Sequence, residues 1–179
     1  MKKHAIALYL GLALSPVLAA GMATAGPEAF ATGPLIEGYG LNARVPQAAP
    51  LPADAAFKVA IDVVEGGVDG ELNGKFKTAA SLINLLNASG VPAERIEVGL
   101  VVHGPAYRDL LVDDAYGGDN PNAELIAALQ AHGATLYYCG QSAVYRDIAA
   151  EDLLPGVKVT LSATITHAML QQQGYALRP

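Results

Sequence analysis

The chain has 179 residues, 52 % of them hydrophobic, a formal net charge of −6, a mean hydropathy of +0.30 and one cysteine. The length suffices for one domain with its own core. The acidic balance argues against general nucleic-acid binding, which needs a basic surface, and a single cysteine excludes an internal disulfide.

In chain order, Met1-Lys2-Lys3 is basic, Ala5 to Ala20 is mostly apolar and uncharged, and Ala23-Thr24-Ala25 offers an A-x-A cleavage site before Gly26. This predicts a secretory signal peptide over residues 1–25, with a second possible cut after Ala20. The run is short and holds Gly11, Ser15 and Pro16, which argues against a membrane helix. Cleavage removes Lys2 and Lys3 and no acid, so the charge moves from −6 to −8. Export predicts a periplasmic, oxidising location with no membrane attachment after cleavage. Residues 26–56 are rich in Ala, Pro and Gly and read as an extended arm or linker. It lies across either the domain or a neighbouring subunit.

The folded unit spans residues 57–179. Residues 57–64 form the first strand, rich in β-branched side chains. The loop 65–70 follows, then a helix over 75–89 whose Phe76, Ala79, Ala80, Ile83, Leu85 and Leu86 make an apolar face. Residues 96–102 are strand two, and His103-Gly104-Pro105 turns out of it. A short helix is expected over 106–111 and a loop over 113–121. Asn120 or Asn122 then caps a helix ending near His132. Strand three is 134–138, followed by a helix over 142–148, strand four over 157–161, a Ser162-capped helix to Gln173, and a short fifth strand over 175–177. Strands alternating with helices imply an α/β fold with a mainly parallel four- or five-stranded sheet and helices on both faces.

Chemistry concentrates where strands end. Cys139 closes strand three before a helix, and a helix N-terminus favours thiolate over thiol. It is read as a nucleophile or sulfur carrier, or else as a buried small hydrophobe. His103 closes strand two and is read as a base or as a cation beside the thiolate, against a turn-stabilising role. Gly140, Gln141 and Ser142 present backbone N–H groups and a hydroxyl to an anion, unless Ser142 is a plain helix cap. Gly66, Gly67 and Asn73, with Gly104, border the same expected cleft. That loop lacks the phosphate-loop pattern and its Lys-Ser/Thr ending. Arg108 and Arg146 are read as anion holders or as paired surface charges. His132 and His167 show no ligand spacing with Cys139, so no metal is expected; His167, mid-helix, reads as structural or interfacial.

The ordered set Val101-Val102-His103-Gly104-Pro105-Ala106, Glu124-Leu125-Ile126, Tyr138-Cys139-Gly140-Gln141-Ser142, Leu153-Leu154-Pro155-Gly156-Val157 and Leu161-Ser162-Ala163 resembles the DsrE/DsrF-like sulfur-relay family. The resemblance covers residues 57–179. It implies a flavodoxin-like fold, trimeric or hexameric assembly, and a persulfide-carrying cysteine at Cys139; no cofactor is expected. It departs from relay members in its expected export and its lone cysteine, so a sulfur donor or acceptor must be another protein, another subunit or a small thiol. The leading expectation is an exported sulfur-handling protein with sulfurtransferase-like chemistry at Cys139 and His103. The alternative is a non-catalytic binding or assembly module with a structural cysteine. A flavin or nucleotide binder is a third reading, on fold analogy alone.

Overall fold

The computed structural model describes residues 26–68 and 70–178; the expected signal peptide lies outside them. Five strands form one sheet: β1 (Phe57–Val63), β2 (Ile96–Val102), β3 (Ala134–Cys139), β4 (Lys158–Thr160) and β5 (Ala176–Arg178). Their order is β4-β3-β2-β1-β5 and every pair is parallel. The helices are α1 (Gly74–Ala88), α2 (Asp113–Tyr116), α3 (Ala123–Ala131), α4 (Gly140–Arg146) and α5 (Ala163–Gln172).

The chain steps in one direction from β1 to β4, so its right-handed crossovers place α1, α3 and α4 on one face. The step from β4 back to β5 runs the other way and puts α5 alone on the opposite face, against β1, β2 and β3. The two faces differ accordingly. The first carries the main core, including Ile61, Val63, Leu100, Val102, Leu136 and Tyr138. The α5 face has small residues, Ala60, Gly99 and Val101, and the helix settles close: a Cβ on Gly99 would stand 3.1 Å from Leu170 Cδ1.

The N-terminal arm lies across its own domain. Asn84, fully buried in α1, accepts from Leu35 N–H (3.1 Å) and Ile36 N–H (2.8 Å) and donates to Ile36 O, Tyr39 O and Gly40 O at 3.0–3.2 Å. Ile36 joins the main core. Gly40 lies so near the Ala80–Ser81 backbone that a side chain there would collide with it. Asn84 stands on the buried side of α1, and Leu85, expected inside, is 40 % exposed.

Three local expectations are corrected. Residues 104–110 form a 3-10 helix with Pro105 in its first turn. The expected loop 113–121 opens with one helical turn, α2, started by Asp113 and Asp114 and ended by Gly117 at φ 86°. The helix after β3 begins at Gly140 rather than Ser142, so Cys139 itself occupies the capping position.

Candidate functional site

A parallel sheet brings all strand carboxyl ends to one edge, and the turns after β1, β2, β3 and β4 meet there. On the α5 face of that edge lies Cys139. Gly140 follows it beneath the end of β4, where a Cβ would run into the Thr160 carbonyl, so only glycine lets β4 pass this close. Burial pushes the Cys139 thiol pKa up. Hydrogen bonding from Ser142 N–H, Ala163 N–H, the Ser142 hydroxyl and Gln141 N–H outweighs it, and the net shift is downward from the ordinary thiol value. Donors from the starts of both α4 and α5 thus converge on one sulfur. The residue is only 6 % exposed, shielded in a small cluster with Ala60, Val101, Ala163 and Leu170.

His103 lies on the same face. Val101 and Val102 pair with Tyr137 and Tyr138, so continuing the register one step sets His103 beside Cys139 on the neighbouring strand. Its Nε2 bonds Asp62 Oδ1 at 3.0 Å, and His167 Nε2 on α5 bonds the same oxygen at 2.8 Å. A carboxylate only accepts, so each Nε2 carries the proton it donates, and the lone pair of the neutral tautomer that this selects is on Nδ1. His167 Nδ1 is buried without a partner. Among the described residues no group of three His, Cys, Asp or Glu is disposed to hold a metal ion. Asp62 escaped the sequence reading, and His167, read there as structural or interfacial, was not linked to it. Asp62 sits inside an apolar strand and His167 is 105 residues away from it; the one available signal was an acid in a buried-strand pattern.

The remaining candidates divide between two places. Gln141 and Ser142 face the thiol, and Gly104 makes the turn after β2 at φ 58°, against Val64. Gly66 and Asn73 lie instead on the α1 face, where they line a separate cleft. Asn73 is buried and fully engaged: its Oδ1 caps α1 by accepting Lys75 N–H (2.8 Å), and its Nδ2 donates to Glu65 O (2.9 Å) and Asp109 Oδ2 (2.6 Å). Gly67 N–H is also held by Asp109 Oδ2, at 2.9 Å. Buried Asn120 and Asn122 extend this network: Asn122 Oδ1 accepts Asn73 N–H, and Asn120 Oδ1 accepts Asn122 N–H. These groups brace the loops at the sheet edge.

Arg146 and Arg108 stack on aromatic rings, Arg146 4.5 Å from the Tyr107 centroid and Arg108 4.7 Å from Tyr116. Tyr138 points to the main core with its hydroxyl buried and unpartnered. Burial is the main reason its pKa is pushed up to about 12, and the Arg146 charge offsets part of that.

The family model described as DsrE/DsrF-like family matches residues 58–177. Among solved structures, the YchN protein from E. coli superposes with a TM-score of 0.50 at 17 % identity, covering 68 % of this chain and 96 % of that one. Protein MTH1491 from Methanobacterium thermoautotrophicum, described as of unknown function, gives 0.49 at 16 % identity over 68 % and 97 %. The YchN likeness extends to the fold alone. A search of curated proteins finds no match.

Proposed function

The chain belongs to the DsrE/DsrF-like family, and from that premise we propose that it carries sulfane sulfur as a persulfide on Cys139. The thiolate attacks the sulfane sulfur of a polysulfide or persulfide donor. One Sγ–S bond forms, the bond between that sulfur and the rest of the donor breaks, and the donor leaves as sulfide or thiolate. An acceptor thiolate then takes the terminal sulfur and returns the Cys139 thiolate, so no outside oxidant is needed. With one cysteine in the chain, the acceptor is a small thiol, another protein or another subunit.

The observation that carries this reading is the ring of donors from Gln141, Ser142 and Ala163, which lowers the thiol pKa in spite of burial. Asp62 fixes the His103 ring so that Nδ1 is the basic atom, which suits it to take the proton of an incoming thiol or return one to the leaving sulfur. The pattern of residues 1–25 supports export to the periplasm. Homo-oligomerisation, as a trimer or hexamer, is supported by an apolar stripe on and beside α5: Leu161, Ile165 and Met169, at four-residue steps, are 67, 44 and 53 % exposed.

The low exposure of Cys139 favours a second reading, a binding or assembly module whose cysteine is packing. Intact mass after incubation with polysulfide separates the two. Sulfur carriage requires a gain of one sulfur atom that dithiothreitol reverses and that Cys139→Ser lacks. No gain, with thiol labelling only after denaturation, leaves the packing role.

A further inference from the structure

On the α1 face, away from the thiol, an open cleft of about 640 Å³ runs between α1 and the β5 edge. It arises from the topology. α5, the helix that leads into β5, crosses on the opposite face, and α1 reaches over β1 and β2, so the α1 side of β5 is left bare. The volume is in the range of small-molecule sites.

The lining sets the ligand class. Val59 and Ile61 form an apolar floor, and Leu82 and Thr78 form the α1 wall. Arg178 supplies positive charge, Lys75 lies in the lining with an interaction of its own, and Glu65 is the acid among the lining residues. Arg178 pairs with Ile61 in register, so its side chain leaves the sheet on the same face as the floor, and it makes no ion pair among the described residues. A Cβ on Gly74 would meet nothing within 4 Å, so the mouth is open. The Lys75 N–H at the start of α1 is already taken by Asn73 Oδ1. One cation with no ion pair among the described residues, Arg178, over an apolar floor suits neither a polyphosphate nor a neutral lipid.

We propose that this cleft is a second ligand site, independent of Cys139, for a small organic mono-anion with a bulky apolar body, a carboxylate or sulfonate whose charge lies toward Arg178. Its test uses 1-anilinonaphthalene-8-sulfonate and the neutral N-phenyl-1-naphthylamine, which lacks only the sulfonate, as fluorescent probes on the full mature protein. The expected result is saturable binding of the sulfonate, with the neutral probe at least about tenfold weaker. Thr78→Glu, an exposed position, and Arg178→Gln each weaken the sulfonate by about tenfold or more. Cys139→Ser and Ile165→Glu, on the far face, leave it unchanged, which separates this site from the sulfur chemistry and from the α5 stripe. Folding of each variant is checked by its thermal melt. The proposal is overturned if the sulfonate does not bind, if the neutral probe binds equally well, if both cleft variants that melt like wild type bind normally, or if Ile165→Glu removes the signal.

Discussion

Replacing Asn84 by leucine tests the docking of the N-terminal arm. The side chain is fully buried and makes five hydrogen bonds to backbone groups of residues 35–40. With leucine, two outcomes compete. If the arm stays docked, the N–H and C=O of buried Ile36 lose their Asn84 partners, at about 1–3 kcal/mol each, or roughly 2–6 kcal/mol together. If the arm releases, those groups reach water, but Ile36 leaves the core, a loss of about 1.5–3 kcal/mol, and the net worth of the hydrogen bonds, about 0.5–1.5 kcal/mol each, goes with it. Freed chain entropy of about 1–2 kcal/mol per residue offsets part of this. The cheaper route wins, so the expected destabilisation is about 2–4 kcal/mol, a large share of a domain's usual 5–15 kcal/mol. Urea unfolding reads it, and limited proteolysis should cut the arm faster. Gly40→Val sharpens the test. Its side chain would collide with the Ala80–Ser81 backbone and block docking by another route. If both substitutions act by undocking, the double variant loses little more than either single one. A loss below about 0.5 kcal/mol for Asn84→Leu, or full additivity with Gly40→Val, would refute the reasoning.

Two further outcomes follow from the thiol's surroundings. The Cys139 pKa is lower folded than unfolded, so between those two values the unfolded chain binds more protons and stability rises with pH; the gain is complete above the unfolded value and lost as pH falls through the folded one. Urea midpoints from roughly pH 6 to pH 9 should therefore climb for wild type relative to Cys139→Ser, and parallel curves would contradict the donor arrangement. Gly140→Ala forces its Cβ against the Thr160 carbonyl; the expected cost is about 1–3 kcal/mol, together with a higher thiol pKa in alkylation-rate profiles, and a neutral substitution would show that β4 does not press on this turn.

Much of the fold was legible locally. The run of β-branched residues in β1 marked it as a strand, the other four strands fall within a residue or two of the expected spans, and the spacing of Phe76, Ala79, Ala80 and Ile83 marked the inner face of α1. Ser162 caps α5 as expected, accepting Ile165 N–H at 3.2 Å. Local patterns were weaker where geometry came from elsewhere. Ser142 resembled a cap, but the helix begins at Gly140 with Cys139 in the capping position. The Gly66–Asn73 loop and Cys139 both follow strand ends, so they looked like one cleft. Yet Gly66 and Asn73 border the α1 side, while Cys139 points to the α5 side.

The amino-acid order alone determined the element sequence, the α/β class, the family resemblance and the position of the thiol at a strand's end, because hydrophobic period, caps and turn residues act over a few positions. Only the folded chain decided that the arm docks on its own α1, that Asp62 gathers His103 and His167, and that a cleft opens beside β5. Those features depend on strand order and on which face each crossover takes. Such contacts join residues 41, 48 and 105 positions apart, a separation over which local sequence pattern carries no information about proximity.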